Sequence, residues 1–138
     1  MNSVVFRFAA AALLVLPLCK GACAPTGLTV EEKLKLLARD NDEDGNGVVT
    51  TSDIAYDINN RYDTNNDGRV DESEWVARWT CGYGDTKQYA RWVWGVLNGG
   101  ASYMDASQFA GEPFHTGIPL DNFIATNRER YIKFASSG

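Results

Sequence analysis

Carboxylates repel one another, so a chain that gathers them on one short segment has a use for them. Residues 62–75, YDTNNDGRVDESEW, carry Asp63, Asn65, Asp67, Asp71 and Glu74 around Gly68. Oxygen donors alternating along a bent segment suit a hard divalent cation. With Asp63 as position 1, Asn65 and Asp67 stand at 3 and 5, Gly68 at 6, Val70 at 8, Asp71 at 9 and Glu74 at 12. Side chains at the first three of these curl round one ion, and Gly68 permits a sharp turn with positive φ. The Arg69 carbonyl adds an oxygen, Asp71 reaches the ion through water, and Glu74 is long enough to bind through both oxygens. Asp71 and Glu74 also open a helix as a capping pair.

A second acidic run, DEDGNGVVTTSD, lies upstream at 42–53. Two glycines compete for its turn. Gly45 at position 6 would leave Thr51, a poor ligand, at 12. Gly47 at position 6 puts Asp42, Asp44 and Asn46 at 1, 3 and 5, the Val48 carbonyl at 7, Thr50 at 9 and Asp53 at 12, and this register is adopted. Leu34, Leu37 and Ala38 before the loop and Ile54 and Ile58 after it supply the apolar flanks. This loop has three ligand carboxylates against four in the other, and Asp53 is one methylene shorter than Glu. It should bind more weakly, and a one-oxygen contact from Asp53 would admit magnesium as well as calcium.

The pattern D-x-[DN]-x-[DN]-G-x-x-x-x-x-E resembles the calcium loop of the EF-hand superfamily, over residues 33–79. A looser likeness is to small secreted EF-hand proteins of invertebrates. The resemblance implies an all-α EF-hand domain holding two Ca2+ ions, with Mg2+ an option at the first loop.

The elements that position these loops can be read from the same sequence. Thr29 and Glu32 predict a capping box, with Val30, Leu34, Leu37 and Ala38 as the apolar stripe of the helix behind it. Asp42 and Asp63 are too close for two separate helices between the loops. One short helix near 51–62, roughly 18 Å long at 1.5 Å per residue, must serve both. Downstream, taking Leu97 as position 1 of a decayed loop puts Tyr89, Trp92, Val93 and Val96 before it and Met104 at position 8. Asp105 and Gln108 repeat the capping pair, while Leu97, Gly99 and Ala101 leave the ligand slots without oxygen side chains. Val70 and Met104 should then lie in adjacent short strands.

A fainter echo in FHTGIPLDNF spaces Ile118 and Phe123 as Val49 and Ile54 are spaced. It suggests a shortened fourth hand pairing with the first through Val49 and Ile118. Pro119 would open a final helix over about 119–134 presenting Leu120, Ile124 and Tyr131. Ser136, Ser137 and Gly138 are expected to fray. The fold expected is thus two metal-binding loops and two degenerate hands. Trp75, Trp79 and Trp92 are expected to pack between hands, with Trp94 left exposed.

The first residues have the grammar of a signal peptide: Arg7, an apolar run from Phe8 to Leu18, then small residues. Removal of 1–21, with the cut between 21 and 24, would leave a single secreted domain over 25–138. A cut before Cys23 leaves Cys23 and Cys81 to form a disulfide; a cut after it leaves Cys81 alone. The net charge of −5, made more negative by losing Arg7 and Lys20, argues against nucleic acid and anionic membranes as partners. His115 is the single histidine, and no zinc or nucleophile motif accompanies it. Nothing in the sequence points to an enzyme. Two functions follow: a constitutively filled extracellular calcium binder with a structural, buffering or matrix role, or a calcium-gated module for a protein or small apolar ligand.

Overall fold

The computed structural model describes residues 23–109 and 112–137; the expected signal segment and Gly138 lie outside them. Among the described residues the chain is mostly helical, with seven α-helical segments and four two-residue strands.

Helix α1, Val30–Asn41, begins at the expected capping box, in which Thr29 and Glu32 exchange side-chain and backbone hydrogen bonds. It buries Leu34, Leu37 and Ala38, but Val30 is exposed. Val30 sits in the first turn, ahead of the point where the stripe meets the core. Strand β1, Val48–Val49, leads into α2, Thr51–Asp57, which continues without a break into a π-helical turn, Ile58–Tyr62. One continuous helical segment therefore joins the two acidic loops. Strand β2, Val70–Asp71, leads into α3, Glu72–Tyr83, which stops at Gly84 in the left-handed conformation. Helix α4, Lys87–Asn98, is capped by Thr86 and also ends at a left-handed glycine, Gly99. Strand β3 is Tyr103–Met104, followed by the short helices α5, Ala106–Phe109, and α6, Glu112–Thr116. Strand β4, Ile118–Pro119, precedes α7, Leu120–Ser137.

Both expected strand pairings are present and antiparallel: Val70 faces Met104, and Val49 faces Ile118. Each central valine is fully buried, worth about 1.5–3 kcal/mol, so the bridges sit at the heart of the core rather than at its rim. Pro119 belongs to β4 and the last helix opens one residue later, at Leu120. That helix runs on through Ser137, so the expected fraying at Ser136 and Ser137 is not seen.

An aromatic column fills the space between the halves. Trp75 stacks on Tyr62, Trp79 and Phe109 with ring centroids 5.1, 5.1 and 5.6 Å apart. Trp94 is buried, contrary to the exposure expected of it. It is 4 % exposed and leans on Trp75 and Phe109, while Trp92 turns to Tyr89 and Phe134 and is only partly buried. The reason is that α4 packs against both α3 and α7. A helix covered on two sides buries residues two apart. The cysteine question also closes: Cys23 and Cys81 form a disulfide, and Ala24 donates its N–H to the Cys81 carbonyl.

Candidate metal centres

Each acidic loop is wound around its own first carboxylate. In the upstream loop the N–H groups of Asn46 and Gly47 donate to Asp42 at 3.2 and 2.8 Å. In the downstream loop those of Asp67 and Gly68 donate to Asp63 at 3.2 and 2.9 Å. The third and fifth side chains repeat the scheme. Asp44 and Asn46 accept from Asn46 and Val48, and Asn65 and Asp67 accept from Asp67 and Arg69.

The last carboxylate closes each loop. Asp53 accepts from Glu43 N–H at 3.1 Å and Thr50 N–H at 2.9 Å. Glu74 accepts from Thr64 N–H at 2.9 Å and Asp71 N–H at 3.2 Å. The shorter Asp53 thus turns both oxygens to the same backbone positions as Glu74. Thr50 and Asp71 double as helix caps for the segments that carry these acids. The Glu74 N–H and the Ser73 hydroxyl hold the Asp71 carboxyl below its usual range.

Backbone dihedrals fix the register. Gly47 and Gly68 have φ of 84° and 81°, and two residues earlier Gly45 and Asn66 have 69° and 58°. The glycine competition in the upstream loop resolves in favour of Gly47, with Gly45 matching Asn66. Asn66 is the one non-glycine with positive φ among the described residues. Sequence reasoning passed over this position, although an Asn aligned with a Gly is a recognisable sign of the left-handed region.

These bonds bring donor oxygens together in two clusters. One oxygen each from Asp42, Asp44 and Asp53 lie within 4.8 Å of one another, as do one each from Asp63, Asp67 and Glu74. No family model, curated protein or solved structure matches this chain. The chemistry of the clusters therefore rests on their own electrostatics.

Asp42, Asp53, Asp63 and Glu74 are all buried. Among the described residues the ion pairs fall elsewhere: Lys33 with Asp85, Arg39 and Arg78 with Asp40, Arg61 with Glu43 and Asp57, and Arg128 with Glu31. The acids at the ligand positions are held, among the described residues, only by hydrogen bonds from their own loops. Converging buried carboxylates need positive charge to be tolerated together, and no side chain supplies it. All-oxygen donors of this kind fit a hard divalent cation. The Val48 and Arg69 carbonyls stand between the fifth and last ligand positions of their loops and would complete each set.

Proposed function

We propose that the protein is a secreted calcium binder of EF-hand architecture, with one ion held by Asp42, Asp44, Asn46, Val48, Thr50 and Asp53 and a second by Asp63, Asn65, Asp67, Arg69, Asp71 and Glu74. One observation carries the reading: two loops of unlike sequence fold to the same hydrogen-bond scheme around converging carboxylates that no cation of the described residues pairs, the first and last of each cluster being buried. The two bridges, Val49 with Ile118 and Val70 with Met104, support a four-hand arrangement in which the third and fourth hands keep the packing and lack the ligands. The Cys23–Cys81 bond supports an oxidising compartment, and it requires any signal cleavage to fall before Cys23.

The ions would be structural. Extracellular modules of this class work with Kd of about 10⁻⁴–10⁻³ M, so at comparable calcium the sites stay largely filled. An ion at about 100 times its Kd adds about 2.7 kcal/mol per site to stability. Calorimetric titration with calcium and with magnesium tests the reading. The expected result is two calcium sites, magnesium competing at the first, and a higher melting temperature with calcium. Absence of calcium binding, or equal affinity of both loops for the two ions, overturns it.

A further inference from the structure

Behind the aromatic column lies a cavity of about 270 Å³. Its inner wall is Leu37, Ile54, Trp75 and Trp79, all buried in the core. Its outer wall comes from the second half of the chain and ends at Thr126 and Arg130, one turn apart on α7. Thr126 is exposed and Arg130 is half-buried, so this end meets solvent.

Arg130 is out of keeping with the other arginines. Arg39, Arg61, Arg78 and Arg128 each hold a carboxylate. Arg69 and Arg91 are exposed. Arg130 is half-buried and pairs with no acid among the described residues: its one hydrogen bond there is from Nη1 to Asn127 Oδ1 at 3.3 Å. Burial pulls its pKa below the usual guanidinium value, with only the Tyr89 hydroxyl opposing the shift. Of the other ionisable groups on the cavity wall, Asp57 is already matched by Arg61 at 2.9 Å and the Tyr62 hydroxyl accepts from Trp79 Nε1 at 2.8 Å. The cavity is therefore lined mainly by apolar and aromatic side chains, with Asn41 and Asp57 bonded within the protein, and among the described residues it carries one positive charge without a matching acid, at its open end.

We propose that this cavity binds a small apolar carboxylate, its tail among the aromatic rings and its head group paired with Arg130. A guanidinium donates two parallel N–H bonds to a carboxylate, and the pair is strongest where water is scarce. The volume equals the liquid share of about nine waters, which suits a molecule of about ten non-hydrogen atoms such as octanoate. An amine would meet the charge of Arg130, and an alcohol would leave it unmatched.

Calorimetric titration of the protein with octanoate, octanol and octylammonium, each kept monomeric, tests this. Octanoate should bind one to one, with octanol about tenfold weaker or worse and octylammonium weaker still. Arg130→Gln should lower octanoate affinity to that of octanol and leave octanol unchanged. Arg130→Lys should retain part of the preference, and Arg128→Gln, on the same helix, should change nothing. Should Arg130→Gln fail to fold by circular dichroism, the Arg130→Lys variant and the octanoate-to-octanol ratio of the parent decide. No octanoate binding by the folded protein, equal affinity for acid and alcohol, or an equal loss in Arg128→Gln overturns the proposal.

Discussion

The carboxylate of Asp53 accepts the backbone N–H of Glu43 at 3.1 Å, tying the last position of the first loop to its second. Glu74 makes the same closure to Thr64 with one methylene more. Reach to the backbone therefore does not separate the loops. What separates them is charge: the ninth position is Thr50 in one and Asp71 in the other. The second loop should remain the tighter, since affinity rises with the number of ligand carboxylates. Glu74→Gln should weaken calcium at that loop on the order of tenfold or more, and by more than Asp53→Asn weakens the first. Titrating both variants checks this, and equal losses would show that the extra carboxylate does not strengthen the second site.

Much of this arrangement was legible in the sequence because it is local. Side chains that bond to backbone two to five residues away leave a spacing, and so do valines that pair across a bridge. The pairing of Val49 with Ile118 could be read across almost seventy positions only because both sit at equivalent places in related loops. The rest had no such marker. The burial of Trp94 depends on Trp75 of α3 and Phe109 of α5 closing over it, which no periodicity in α4 announces. The contacts of Asp40 with Arg78 and with Tyr83, the latter at 3.0 Å, join residues whose separation carries no pattern. The charge of Arg130 reads as an ordinary solvated residue until the fold shows it half-buried and paired with no acid among the described residues.

Asp85 is the knot between the two ends of the chain. In the turn after α3 it accepts from Lys33 Nζ of α1 at 2.8 Å and from the Tyr131 hydroxyl of α7 at 2.9 Å. Its own side chain is almost wholly buried and that of Lys33 mostly so. Asp85→Ala would leave the ammonium and the hydroxyl without an acceptor. It should cost about 2–4 kcal/mol, far more than Glu31→Ala at the exposed pair with Arg128, where less than about 1 kcal/mol is expected. Denaturant unfolding of the two variants measures the contrast, and similar losses would show that Asp85 is better solvated than its position implies.

Asp57 gives the protein a pH dependence of opposite sign to that of an ordinary paired acid. Burial raises its pKa from 3.8 to about 6, although Arg61 opposes the shift. Below 3.8 the group is protonated in both states and costs nothing. As pH rises towards 6 the unfolded chain releases the proton first, so stability falls. Above that range the full penalty applies, about 3 kcal/mol at one pKa unit per 1.36 kcal/mol. Asp57→Asn removes this titration. The stability of the variant relative to its parent should rise through the window from 3.8 to about 6 and stay level above it. A constant difference across the window would mean that the Arg61 pairing balances burial, and a falling one that it outweighs burial.

Arg61 reaches from the helical segment between the loops back into the first loop. It donates to Asp57 at 2.9 Å, to the Asp40 carbonyl at 3.2 Å and to Glu43 at 3.0 Å. Its neighbour Tyr62 accepts from Trp79 Nε1 at 2.8 Å, and Asp63 follows as the first acid of the second loop. Glu43 is also the residue whose N–H closes the first loop onto Asp53. An ion that ordered the first loop would thus fix Glu43, Arg61 and the π-helical turn in sequence, and would help pre-form the second loop. The two sites should couple positively by about 1 kcal/mol, near the low end for linked sites. Asp42→Ala, which disables the first loop, should therefore weaken calcium at the second loop about fivefold. Arg61→Gln should leave both loops able to bind while removing most of that coupling. Titration of the two single variants and the double variant separates the effects. Unchanged affinity at the second loop in Asp42→Ala would show that the connecting helix is rigid without metal and that the loops fill independently.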